Sequence, residues 1–95
     1  MKMEENAKRV AELLKVLANE NRLLILCALM SGPKTVSEIA PYVPGITQSA
    51  LSQHLAVLKA NGILDNRKNG LHCTYFIADH RVEQVIQVLK QYYCQ

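Results

Sequence analysis

The chain has 95 residues, 49% of them hydrophobic, enough to bury one core but too few to enclose a deep substrate cavity as well. Eleven Lys and Arg against eight Asp and Glu give a mildly basic balance, which permits nucleic acid as a partner and which a dimer would double. No apolar run is long enough to span a bilayer and no charged-then-apolar leader opens the chain, so the expected location is cytoplasmic and off the membrane. The motifs GxGxxG, HExxH and GxSxG are absent, as is a P-loop, which argues against an enzyme. Three cysteines, Cys27, Cys73 and Cys94, lie far apart with no CxxC pair, so neither a disulfide framework nor a local zinc motif is expected.

In chain order, residues 3–18 place Val10, Leu13, Leu14 and Leu17 on one helical stripe, with Glu4 and Glu5 at the favourable N-terminal end. After a break at Asn19-Glu20-Asn21, the run RLLILCALM (22–30) is apolar nearly all round and is expected at the centre of the domain. Ser31-Gly32-Pro33 ends it. Thr35 and Glu38 have capping-box spacing for a third helix, which Pro41 and the sequence PYVPG cut short. A fourth helix begins after Thr47, an expected N-cap, and stops at Asn61-Gly62. Leu51, Leu55 and Leu58 share its buried side. Gln48, Ser49, Ser52, Gln53 and Lys59 fall opposite, as short or amide-bearing groups that can approach base edges and phosphates.

Beyond Gly62 the period changes from helical to strand-like. Two runs flank Asn69-Gly70, a strong hairpin signal, with Leu71, Cys73, Tyr75 and Ile77 alternating onto one face. Arg67 and Lys68 near the tip suit phosphate or minor-groove contact, and they equally suit a solvated hairpin. Asp79 is the expected cap of a last helix carrying Val82, Val85, Ile86, Leu89 and Tyr92 or Tyr93. The fold expected is mainly α with a small β-hairpin, α-α-α-α-β-β-α, a winged helix-turn-helix. It forms one domain over 1–95, and its first and last helices pair across a twofold axis in a homodimer.

That order of elements, together with LKVLANENRLLILCAL, QSALSQHLAVLKANGIL and RKNGLHCTYFI, resembles the ArsR/SmtB winged-helix repressors over essentially the whole chain. The resemblance implies a dimeric bacterial transcription factor on double-stranded DNA whose affinity an inducer changes. It places Thr47, Gln48, Ser49, Ser52, Gln53 and His54 at the major groove, and Arg67 and Lys68 on adjacent phosphates or the minor groove. His54 has a second reading, as a partly buried histidine beneath the helix.

The family's usual metal ligands are missing. Thr35 and Ser37 stand where a thiolate pair is common, and hydroxyls cannot replace thiolates for soft metals. Asp79 and His80 open the last helix, but its far end offers Tyr92, Tyr93 and Gln95 as no complement. Neither a metal nor another cofactor is therefore expected. LLILC and YYCQ instead resemble the HlyU, BigR, SqrR and YgaV subgroup, which implies that Cys27 and Cys94 act together as a sensor of persulfides or other oxidants. A direct disulfide needs Cα atoms within roughly 7 Å, and inserted sulfur relaxes that limit. Cys73 has no counterpart in that pattern, and its alternation favours packing. Two further readings stay open: a metal-responsive repressor using His72, Cys73 or His80, and a small thiol-exchange protein.

Overall fold

Asn19 separates the two N-terminal helices of the computed structural model, which describes residues 2–93. Helix α1 spans Met3–Leu17 and α2 spans Glu20–Leu29; the Asn19 side chain accepts from the Arg22 backbone N–H at 3.1 Å, starting the second helix where the first has stopped. As its composition requires, α2 lies inside, with Ile25, Leu26, Ala28 and Leu29 buried. Only Leu17 of α1 joins that core, and Leu13 and Val16 pack at its margin. Val10 and Leu14, expected on the same stripe, are each 52% exposed. With Met3 and Ala7 they form a second, outward stripe of heptad-like spacing.

The structure adds a strand to the expected hairpin. Strand β1, Lys34–Thr35, pairs antiparallel with a later strand, and at two residues it is too short to show any period in the sequence. Thr35 also caps helix α3, Val36–Ile39. Its hydroxyl accepts from the Glu38 N–H at 3.3 Å while its own N–H donates to the Glu38 carboxylate at 2.9 Å, completing the capping box. Those bonds to Thr35 hold the Glu38 carboxyl below the usual carboxylate range. Pro41 acts as expected: α3 ends after four residues and continues as a 3-10 turn, Ala40–Tyr42.

Helix α4 spans Gln48–Ala60, and Thr47 caps it by accepting from the Ala50 N–H at 3.0 Å. At the other end Gly62 takes φ +73°, which lets its N–H reach the Lys59 carbonyl and the Ile63 N–H the Leu58 carbonyl, both at 3.0 Å. This Schellman arrangement turns the chain back so that Ile63 and Leu64 enter the core.

Strands β2, Leu64–Asn69, and β3, His72–Ile77, complete an antiparallel sheet in the order β1-β3-β2. Asn69 pairs with His72, so the two-residue loop is Gly70-Leu71 rather than Asn69-Gly70. Gly70 alone has a positive φ there, +66°, the pattern of a II′-type turn. Leu71 is therefore a turn residue, fully exposed, and not the start of the inward face. Tyr75 and Ile77 do reach the core, whereas Cys73 is half-buried and stops short of it, because the ribbon projects past the last core layer.

The last helix, α5, spans His80–Tyr93 and buries Val82 and Ile86, leaving Val85, Val88, Leu89 and Tyr92 exposed. Asp79 precedes it and accepts from the Arg81 backbone N–H at 2.9 Å and from its guanidinium at 3.2 Å. The Arg81 guanidinium, then its backbone N–H, hold the Asp79 carboxyl below its ordinary range. A carboxylate depressed on folding stabilises the protein above about pH 4, and that contribution is lost as pH falls through the lower folded value. Asp79→Asn keeps a capping acceptor but loses the charge. It is expected to lower stability by about 0.5 kcal/mol at pH 7 in urea unfolding, with the difference from wild type vanishing in strong acid.

Candidate DNA interface

The three leucines that fix α4 against α2 also decide which of its side chains face outward. Leu51, Leu55 and Leu58 are buried, so Gln48, Ser49, Ser52, Gln53 and Lys59 are exposed together on the opposite side. No acidic residue lies in this helix. Its N-terminal turn, where Gln48 and Ser49 sit, is the part that docking in a major groove presents to base edges. The Thr47 hydroxyl is exposed and accepts from Ala50, which leaves its own O–H available for donation.

His54 stands apart from that group. It is half-buried on the flank of α4, and its Nδ1 accepts from the Arg22 Nε at 3.3 Å. That is the setting its second reading describes, a histidine beneath the helix, and the ring stays part-exposed beside Gln53. Arg67 and Lys68, adjacent in β2, point to opposite faces of the ribbon. Arg67 lies over the Phe76 ring, 5.2 Å from its centroid, while Lys68 shares its face with Asn66 and Leu64. One contact was not legible in the sequence: the Lys59 ammonium donates to the Asn66 side-chain oxygen at 3.2 Å, joining the end of α4 to the base of the wing. No period links a helix residue to a strand residue across a turn.

Cys27 is half-buried against the core and, with Leu23, Ile86, Leu89, Lys90 and Tyr93, walls an apolar recess of about 240 Å³ between α2 and the end of α5. Cys94, the other expected sensor, follows Tyr93 in sequence and lies outside the described residues. His72 and Cys73 project to opposite faces of β3, and both ring nitrogens of His80 meet side chains of its own helix, Glu83 at 3.3 Å and Gln84 at 3.1 Å. Among the described residues, no three His, Cys, Asp or Glu side chains converge as a metal site.

Residues 19–66, which run from the start of α2 through α4 into the wing, match the bacterial regulatory protein, arsR family. The chain belongs to the arsR family. Transcriptional activator HlyU of Vibrio cholerae is 40% identical over 93 residues, 98% of this chain and 85% of that protein. A solved structure of reduced HlyU from the same organism superposes with a TM-score of 0.91, covering 98% of this chain and 97% of that one. The biofilm growth-associated repressor of Xylella fastidiosa is 36% identical over 97% of this chain and 80% of its own length. The Mycobacterium bovis domain Mb0332, described as a homodimeric winged helix-turn-helix DNA-binding domain, is 30% identical with a TM-score of 0.79, over 97% of this chain and 86% of that one. As an arsR-family member the chain is a winged-helix, DNA-binding transcriptional regulator rather than an enzyme.

The divided faces of the wing and helix set separate expectations for their residues. Gln53→Ala is expected to relax base preference at one operator position. Lys68→Gln is expected to weaken all duplexes about equally and to lower the salt slope by about 1. Fluorescence anisotropy across a salt series checks both, and an unchanged slope would remove Lys68 from the phosphate contacts.

Proposed function

We propose that residues 1–95 act as one domain of a homodimeric, cytoplasmic regulator that reads duplex DNA through paired α4 helices and releases or weakens it when Cys27 and Cys94 are joined. The observation that carries the thiol reading is the recess: Cys27 on α2 shares its wall with Leu89, Lys90 and Tyr93, the stretch of α5 that leads into Cys94. Reactive sulfur species or other oxidants are the inducers this chemistry accepts, and no cofactor takes part.

Dimerisation rests on the outward stripes. Val10 and Leu14 on α1 and Val85, Val88 and Tyr92 on α5 leave both terminal helices with uncovered apolar faces, and a twofold partner covers such faces isologously. The homodimeric description of Mb0332 is in keeping with this. Two α4 helices would then meet successive major-groove turns, with Thr47, Gln48, Ser49, Ser52 and Gln53 at the bases and Arg67 and Lys68 on the wings.

The chemistry balances in either form. With a simple oxidant the two thiols lose two protons and two electrons to it and one S–S bond forms. With a persulfide, two thiols and two persulfide molecules give a trisulfide, two released thiols and one hydrogen sulfide. The trisulfide spans a longer gap than a disulfide, which gives the pair a geometric basis for preferring persulfides.

The test is mass spectrometry after glutathione persulfide and, separately, after diamide, with DNA affinity measured on the same samples. A Cys27–Cys94 link accompanied by weaker operator binding is the expected result. Full affinity despite complete linkage would refute the switch. Zinc or arsenite that binds tightly and releases DNA would replace it with the metal-responsive reading.

A further inference from the structure

Arg22 is a half-buried cation whose guanidinium meets no carboxylate among the described residues. Its hydrogen-bond partners among the described residues lie on α1, on α4 and at the cap between α1 and α2. The backbone N–H is capped by Asn19 at 3.1 Å, Nη1 donates to the Val16 carbonyl at 3.1 Å, and Nε donates to His54 Nδ1 at 3.3 Å. Val16 lies in the last turn of α1, whose carbonyls have no partner within the helix and whose dipole favours a cation. One side chain thus closes the end of α1, stands in the first turn of α2, and reaches the flank of α4.

The leucine contacts that hold α4 decide which of its sides faces outward, but they are non-directional and leave the finer angle about its axis to other contacts. A hydrogen bond is directional and fixes that angle. Because α1 carries the outward apolar stripe, the same bond also fixes the exposed face of α4 relative to that stripe. We infer that Arg22 and His54 are positioning residues for sequence-specific DNA reading: their contact orients Ser49, Ser52 and Gln53, and His54 itself touches no base. This rests on α4 being the reading helix and is independent of the thiol switch.

In vitro selection from random duplexes with the wild-type protein supplies an operator. Anisotropy then compares that duplex with a scrambled one for His54→Leu, Arg22→Leu, the double variant and His54→Gln, with thermal unfolding run alongside. The expected result is an operator affinity about 10- to 100-fold lower for each leucine variant, a double variant no weaker than the weaker single, and scrambled-duplex affinity for His54→Leu unchanged. His54→Gln, whose amide oxygen accepts the same Arg22 bond, is expected to stay within about threefold of wild type with the same selected sequence. Additive losses in the double variant, a glutamine variant as weak as the leucine one, or an altered base preference in the glutamine variant would each overturn the positioning role. Failure of the wild-type protein to select any sequence would instead overturn the DNA reading beneath it.

Discussion

A ten-residue helix that is apolar on nearly every side has no stable place at a surface, and burying α2 dictates where the other elements go. Leu51, Leu55 and Leu58 of α4, Val82 and Ile86 of α5, Ile39 of α3 and the inner face of the sheet all belong to the core built with it. The polar side of α4 is exposed because its other side is committed to this contact. The same rigid helix carries Arg22 near one end and Cys27 five residues later, about 7.5 Å along the axis. A close-packed core transmits displacement more readily than it absorbs it, so a strain applied between α2 and α5 reaches α4.

The structure also divides its surfaces by chemistry. The face of α4 that looks outward is polar, with amides, hydroxyls and one ammonium, and α4 contains no carboxylate to repel phosphate. The terminal helices have the opposite character, each with one apolar stripe turned in and another turned out. A polar face on one element and uncovered apolar faces on two others are separate features, and the proposed twofold axis would satisfy both at once. The wing adds a third division, since adjacent Arg67 and Lys68 serve opposite faces of one ribbon and the Phe76 ring holds the arginine on the outer one.

Local signals in the sequence translated almost directly into structure. The caps at Thr35, Thr47 and Asp79, the stop at Asn61-Gly62 and the break at Pro41 each act within a few residues, so a single chain displays them fully. Signals that depend on partners did not. The turn register slipped by one residue because Asn69 paired with His72, a choice made by the ladder and not by the Asn-Gly dipeptide. Inward and outward apolar stripes on α1 have the same helical period, so Leu13 and Leu14 look alike until the core is assembled. The short strand β1 has no period of its own. Of the candidate interface, the exposed face of α4 was legible from spacing, whereas the anchoring of His54 was not, because its partner lies 32 residues away.

In the proposed dimer two α4 helices are held at a spacing matched to DNA, and joining the thiols changes it. Distance measurement by double electron–electron resonance tests this directly, with a nitroxide introduced at Ser49 of each subunit through an unnatural amino acid so that the cysteines stay untouched. In the reduced protein the distribution is expected near 35 Å, roughly one turn of duplex DNA, and treatment with glutathione persulfide is expected to move it. A reduced protein that shows no intersubunit distance, or a distribution that stays fixed after complete linkage of Cys27 to Cys94, would contradict the account.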